Sequence, residues 1–226
     1  MNAPMQIDWF PLWLSLRVAA LATLLALPLA IWLAHLLAHR RFRGKALLDM
    51  VINLPLILPA TVLAYYLLVL LSQSSPLGRI YESIFGGPLL FTWQAAVLAA
   101  LIHTTPLLVQ ASRTAFEGVD TNCERAARSL GASGWRVFWR VSLPLAQRSI
   151  SAAAVLAFGR ALGDFGVTLM IAGNLPGQTQ TLPVAIFSAV ESGNGAAARV
   201  LVLVISGMIL GILFLANRLG PRRATG

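Results

Sequence analysis

Charged residues are scarce in this sequence and make up only 11% of its 226 residues. In a soluble globular domain roughly a quarter of the residues are charged. Because 58% of the residues here are hydrophobic, we expect lipid to surround most of the chain, and the composition excludes an ordinary soluble enzyme or binding domain. A spanning helix needs roughly 20 apolar residues, so the chain has room for about five or six spans and for no second large domain.

Cysteine, metal-binding patterns and nucleotide-binding patterns are also missing. The single Cys123 cannot form a disulfide within the chain. No HExxH pattern or cysteine cluster supplies ligands, so no metal site is expected. The chain has no phosphate-binding GxxxxGK loop followed by Ser or Thr. We therefore expect it neither to bind nor to hydrolyse ATP by itself.

The basic residues that are present, in a chain of net charge +9, lie between the apolar stretches. A nucleic-acid-binding protein would instead gather them on one soluble face, so no nucleic-acid partner is expected. Most of them follow the first and third apolar stretches or lie in the C-terminal tail. By the positive-inside rule these parts are cytoplasmic, which places the N-terminus outside and the C-terminus inside.

The apolar stretches predict an all-α integral membrane protein with about five transmembrane helices, forming one domain over residues 1–226. The predicted spans are 12–37, 47–71, 91–108, 150–172 and 200–215.

Small and charged residues inside the spans favour a packed bundle. Gly159 with Gly163, and likewise Gly207 with Gly211, would place small residues on one helix face and let another helix approach closely. Arg160 and Asp164 are four residues apart and would share a face of one helix. We favour an internal ion pair that fixes helix packing over the alternative, a gate or a pathway lining.

A second histidine or carboxylate that could join His103 in binding a ligand is missing from its span. His103 is therefore interpreted as a hydrogen-bonded packing residue.

The long basic connection at about 117–145 carries the most specific pattern, CERAARSLGASGWRVFWRVSLPLA. Its composition predicts a helix, a turn at Gly131 and Gly134, and a second helix. Such a segment can present Ala126 and Ala127 to a groove of a partner. It would form a rigid docking element at the membrane surface.

This connection resembles the EAA signature of the permease subunits of ABC importers, in which it forms the helices that dock on the ATPase subunit. One residue, Arg125, is inserted between the glutamate and the alanines, so Glu124 lies one residue further from the glycine than in the general form. The residues that match the signature are Glu124, Ala126, Ala127, Gly131, Leu143 and Pro144.

Most of the chain resembles the molybdate permeases in particular, through GRALGDFGVTLMIAGNLPGQTQTLPVAIF and NLPLILPATVLAYYLL. Sulfate permeases are the next most similar group. The resemblance implies a type I importer permease in the bacterial inner membrane that moves molybdate, with tungstate as an alternative cargo. It further implies a second copy of the chain, two cytoplasmic ATPase subunits that hold ATP and Mg²⁺, and an extracytoplasmic oxyanion-binding protein.

The polar connection after the fourth predicted span leaves two interpretations open. Its amide and hydroxyl groups could contact the oxyanion or the binding protein, or they could form an ordinary solvated turn. The residues concerned are Asn174, Gln178, Thr179 and Thr181.

Two other classes of membrane protein compete with the importer interpretation. A secondary transporter usually has paired repeats and coupling-ion residues at mid-membrane, whereas this sequence has no convincing repeat. A membrane-embedded enzyme needs a nucleophile with its base, or metal ligands, and the sequence suggests neither. Dependence on an ATPase partner would separate an importer from both rivals.

Overall fold

The computed structural model of the protein describes residues 8–40 and 42–220. All regular secondary structure in this part of the chain is helical, which confirms the all-α prediction. The basic C-terminal tail, used above to orient the chain, lies partly outside the described residues. The helices are α1 (Phe10–His39), α2 (Lys45–Ile57), α3 (Ala60–Leu71), α4 (Pro76–Phe85), α5 (Trp93–Glu117), α6 (Thr121–Ser129), α7 (Gly134–Val137), a π-helical turn (Phe138–Ser142), α8 (Leu143–Leu162), α9 (Gly166–Ala172), α10 (Leu182–Glu191) and α11 (Gly195–Leu219).

Four continuous helices are long and apolar enough to cross a membrane. They are α1, α5, the helix that runs from α7 through the π turn and α8, and α11. Helices α2 and α3 together make a fifth span if the bent pair is counted as one. The structure thus agrees with the predicted number of about five spans, although two of these differ in form.

The second predicted span, 47–71, is not a straight helix, because α2 and α3 meet at an angle of 111°. The break falls at Leu58 and Pro59, and Leu58 has an extended backbone. A residue before proline is pushed out of the helical region by the proline ring, and proline itself donates no backbone hydrogen bond. The proline therefore explains the bend.

The fourth predicted span, 150–172, is also interrupted. Helix α8 ends at Leu162, and α9 begins only at Gly166. A short apolar helix, α10, follows in a region where the sequence predicted no span. Beyond the end of α8 the chain thus continues as two short helices, α9 and α10, joined by a polar turn.

Alanine stripes bring α1 and α5 together along the centre of the bundle. Small side chains let two helix backbones approach closely, which replaces the hydrophobic driving force that is missing between helices in lipid. The two stripes are fully buried and consist of Ala19, Ala22, Ala26, Ala30 and Ala34 on α1 and Ala95, Ala96, Ala99 and Ala100 on α5.

The two predicted glycine pairs differ in their surroundings. A Cβ atom on Gly159 would lie 3.0 Å from Cγ2 of Ile212, so this glycine allows α8 and α11 to pack closely. Gly163 caps the end of α8. A Cβ atom on Gly207 or Gly211 would meet no atom of the described chain within 4 Å. Only the first pair therefore contributes to helix ends and contacts within this chain.

Candidate functional site

The coupling segment, which we define as residues 120–145, has the predicted helix, turn and second helix. Asp120 caps α6 by accepting a hydrogen bond from the backbone N–H of Asn122 at 2.8 Å. Ser133 caps α7 in the same way, accepting from the N–H of Arg136. The second helix then continues through the π turn into α8. The segment is therefore joined without a break to a membrane-spanning helix.

Gly131 ends α6 with a left-handed turn, in which its φ is +82°. Its N–H donates to the carbonyl of Arg128, and the N–H of Ala132 donates to the carbonyl of Ala127. These two bonds form the Schellman arrangement that commonly ends helices, and glycine adopts it without steric cost. The glycine of the signature thus sets the angle between α6 and α7.

Glu124 is the buried anchor of α6, with only 5% of its surface exposed. Ser142, at the end of the π turn, donates a hydrogen bond of 2.6 Å to its Oε1. Nε2 of His39, at the end of α1, lies 3.1 Å from the same oxygen, and Arg128 donates to Oε2 at 3.4 Å. One carboxylate therefore fastens α6 to both membrane-spanning helices that meet there.

The charge of Glu124 is stabilised by these neighbours. Burial alone would raise the pKa of the carboxyl group. The hydrogen bond from Ser142, together with His39 and Arg128, more than offsets this and holds the pKa below its ordinary value. The inserted Arg125 is exposed and does not displace the glutamate from this position.

The other predicted residues of the segment leave an exposed apolar edge. Ala126 is exposed and Ala127 is half-buried, as a surface for a partner requires. Leu130 follows them with 89% of its surface exposed. Leu143 and Pro144 follow the π turn inside the continuous helix, where the proline has no N–H to donate to the preceding turn.

An apolar cavity of about 520 Å³ lies between the coupling segment and α1. Its walls include Trp32 and Leu36 from α1 and Trp135 and Trp139 from the segment, with Arg40 at one edge. Tryptophan and arginine together are typical of the membrane–water interface. The lining residues therefore agree with the prediction of a segment at the membrane surface.

The predicted ion pair between Arg160 and Asp164 is wrong. Because α8 ends at Leu162, the two residues do not share a helix face, and no contact within 4 Å joins their charged groups. Asp164 is 4% exposed and turns towards α5, where its Oδ1 lies 3.1 Å from Nδ1 of His103. Thr168 of α9 donates a hydrogen bond of 2.5 Å to its Oδ2.

His103 is buried, and its Nδ1 contacts Asp164 from the break between α8 and α9. This nitrogen forms no hydrogen bond among the described residues, which differs from the predicted hydrogen-bonded packing residue. Arg160, in contrast, remains exposed on the surface of α8. The break between α8 and α9 therefore buries the acid and leaves the base outside.

The polar turn after α9 is held mainly by its own side chains. Asn174 donates to Oγ of Ser188 at 2.7 Å, and Thr179 is buried and accepts from the N–H of Leu175. Thr181 is buried as well, whereas Gln178 is exposed. Asn174 and Thr179 thus make hydrogen bonds within this region of the structure. Of the four predicted residues, Gln178 alone is both exposed and without a side-chain hydrogen bond to the described residues.

The class of protein follows from the similarity of the chain to a known family. The family described as "Binding-protein-dependent transport system inner membrane component" matches residues 26–225. The chain belongs to this family. The family consists of transport components, so the chain is a multi-pass inner-membrane protein and not an enzyme.

Two relatives within this family are similar along nearly their whole length. The molybdenum transport system permease protein ModB of Escherichia coli strain K12 is 43% identical over 208 residues, which is 91% of each chain. The ModB protein of Haemophilus influenzae is 42% identical over 202 residues, covering 89% of this chain and 88% of the relative.

Among solved structures, inward-facing conformations of the MetNI methionine ABC transporter match with a TM-score of 0.75. The sequences are 17% identical, and the match covers 96% of this chain and 97% of that one. It shows that the family member described here has the type I importer permease fold.

Sequence reasoning missed the residues that hold the two buried carboxylates. His39 and Ser142 were not recognised because they are 85 and 18 residues away from Glu124. Thr168 could have been noticed, since it follows Asp164 by four residues. The sequence pattern instead paired Asp164 with Arg160, which precedes it by four residues.

Proposed function

We propose that the chain is the membrane-spanning permease subunit of an ABC importer that moves molybdate into the cytoplasm. The observation that carries this is the identity of more than 40% to molybdenum permeases over about nine-tenths of the chain. The fold and the membrane-spanning helices agree with it. Tungstate, a tetrahedral dianion like molybdate, is the alternative cargo.

The coupling segment is the surface on which a cytoplasmic ATPase subunit docks. Its exposed edge of small and apolar residues fits a groove in a partner, and its buried Glu124 makes it rigid. Because α7 continues into α8, a movement of the ATPase would be passed to a membrane helix without a flexible joint. ATP and Mg²⁺ are bound by the partner, and this chain carries only the mechanical step.

A complete importer contains two copies of this chain around one pathway, two ATPase subunits and an extracytoplasmic oxyanion-binding protein. The N-terminus lies outside and the C-terminus in the cytoplasm, in line with the distribution of basic residues. ATP binding turns the pathway outward, and hydrolysis returns it inward. Such coupling requires that the ATPase contact the two states of the segment differently.

The test is molybdate uptake and ATP hydrolysis in lipid vesicles that contain the chain with its ATPase subunit. The native chain is compared with Gly131→Pro, which cannot adopt the φ of +82° found there. Gly195→Ala at the outer end of α11 is the control, because a Cβ atom there meets nothing within 4 Å and its φ is not positive.

We expect the molybdate-loaded binding protein to stimulate hydrolysis and uptake with the native chain and the control, and not with Gly131→Pro. Uptake by the purified chain without any ATPase would instead show a secondary transporter. Equal stimulation by a sulfate-loaded binding protein would contradict molybdate as the cargo.

A further inference from the structure

Arg160 is an exposed cation in a membrane-spanning helix. The carboxylate four residues later, Asp164, faces α5 and is held there by His103 and Thr168. Among the described residues, no acidic group lies within ion-pair distance of the Arg160 guanidinium. Arg17, near the outer end of α1, is different because its guanidinium lies 3.9 Å from the centre of the Trp93 ring.

The position of Arg160 along α8 places it deep in the bilayer. Arg148 is exposed in the first turns of α8 and marks the cytoplasmic side. Arg160 follows 12 residues later, which corresponds to about 18 Å along a helix axis in a hydrocarbon core about 30 Å thick. An arginine at this depth is costly against lipid and is expected to face a water-filled cavity or a partner.

The face of α8 that carries Arg160 does not look like a surface for lipid. From Ser149 to Arg160 it consists of small or polar residues with a single large apolar one, and all of them are at least partly exposed. By contrast, the exposed face of α11 carries large apolar residues such as Leu203, Leu210 and Phe214. The residues of the α8 face in this stretch are Ser149, Ala152, Leu156 and Arg160, and the exposed Leu145 precedes them at the start of the helix.

We infer that Arg160 lines the translocation pathway and contacts the tetrahedral oxyanion as it passes. The inference rests on the proposed function and adds a residue to it. A guanidinium group presents a planar fork of donors that matches two oxygens of an oxyanion, and it stays charged at every working pH. Two copies of the chain would bring two such cations to a dianion.

The buried state of Asp164 is what makes this role available. If Asp164 bound Arg160, the pair would be neutral and the carboxylate would repel an anion. By turning to His103, the carboxylate leaves the guanidinium free for an external anion. The helix break between α8 and α9 therefore keeps the two charged groups out of ion-pair distance.

The experiment replaces the charge and then restores it chemically. Cys123, which is exposed, is first changed to Ser so that no other thiol of this chain reacts. Arg160→Cys is made in this parent, and the complex with its ATPase and binding protein is assembled in vesicles. It is treated with aminoethyl methanethiosulfonate, which adds an ammonium group, or with the uncharged propyl analogue.

Two rates are measured for each sample, molybdate uptake and the ATP hydrolysis stimulated by the loaded binding protein. Arg199→Gln, which removes an exposed cation at the outer end of α11, is the matched control. We expect Arg160→Cys to lower uptake at least about tenfold while hydrolysis stays near that of the parent, because only the charge contact with the anion is lost. The ammonium reagent should restore much of the uptake and the propyl reagent should not.

Several results would overturn the inference. Uptake in Arg160→Cys equal to that of the parent would remove Arg160 from the pathway. Hydrolysis that falls together with uptake would show that Arg160 serves assembly. Restoration by the propyl reagent, or none by the ammonium reagent, would show that charge is not what matters. If neither the native chain nor the Cys123→Ser parent imports molybdate, the proposed function itself fails, and this is recognised before Arg160 is tested.

Discussion

Glu124 in the coupling segment and Asp164 at the break in the fourth span are two buried carboxylates with matching neighbours. Each has a histidine nitrogen at 3.1 Å and a hydroxyl donor, at 2.6 Å for Glu124 and 2.5 Å for Asp164. They differ in what they join. Glu124 ties a surface helix to two spanning helices and has an additional arginine, whereas Asp164 joins elements that lie wholly in the bundle.

The comparison teaches that one chemical device can serve two purposes. In α6 it fixes a short helix at the end of the bundle, and a water molecule could still replace a lost partner there. Inside the bundle it closes a helix break, and a lost partner would leave a polar group without hydrogen bonds. We therefore expect substitutions at Asp164 to affect folding and those at Glu124 to affect coupling.

The largest effect is expected for Asp164→Ala. It removes the acceptor of Thr168 and the carboxylate in contact with His103, and should lower the free energy of unfolding by about 2–4 kcal/mol. Thermal unfolding in detergent, followed by loss of the monodisperse fraction, measures this. Glu191→Gln, an exposed carboxylate in α10, is the control. Stability of Asp164→Ala equal to that of the control would contradict the role of the carboxylate at the break.

Glu124→Gln should mainly weaken docking. The amide keeps the shape but loses the charge that meets His39 and Arg128, so the orientation of α6 is less fixed. We expect the affinity for the ATPase subunit to fall about tenfold, which corresponds to about 1.4 kcal/mol. A binding titration in detergent checks this, with Glu117→Gln on the exposed end of α5 as the matched carboxylate. Equal weakening in both variants would point to a general charge effect.

The two hydroxyl donors allow the sharpest comparison. Thr168→Val and Ser142→Ala each remove one hydrogen bond to a carboxylate, at a cost of about 1–2 kcal/mol. Thr168→Val should cost more, because Asp164 then keeps only His103, while Glu124 keeps His39 and Arg128 after Ser142→Ala. Thermal unfolding of the two variants in parallel measures which of them loses more stability. The reverse order would mean that the bundle around Asp164 admits water.

The smallest effect is the pH dependence of the coupling segment. Because the folded state lowers the pKa of Glu124 from its ordinary 4.5, its charge stabilises the folded segment fully at pH values above that figure. This contribution is lost as the pH falls through the lowered pKa. The stability difference between native protein and Glu124→Gln should therefore be constant near neutral pH and shrink in acid. A difference that grows on acidification would contradict the sign of the shift.

Much of the fold could be predicted from the sequence because lipid imposes simple rules. The lengths of the apolar stretches predicted the number of spans. A glycine directly after a helical pattern predicted the turn at Gly131. The bend at Pro59 was harder, since prolines such as Pro28 and Pro106 lie inside helices that continue. Whether a proline breaks a helix depends on neighbours that satisfy the freed carbonyl, and these are tertiary.

The candidate site was predicted only in part. The signature residues lie in one segment, as local spacing indicated. The same kind of spacing paired Asp164 with Arg160, but α8 ends at Leu162, between the two residues. Burial of Glu124 by His39 could not be read from the sequence, because it depends on how α1 and α8 meet.

The sequence by itself determined that this chain is a membrane protein with about five spans and that one basic connection forms a helix, a turn and a second helix. These properties depend on composition and local periodicity, because the free energy of transferring a segment into lipid is set by the residues of that segment. Only the tertiary structure decided which acid meets which base, where the second and fourth spans break, and that Arg160 is left exposed. Those outcomes depend on contacts between residues that are distant in the sequence. The end of α8 at Leu162, for example, turns Asp164 towards His103 of α5.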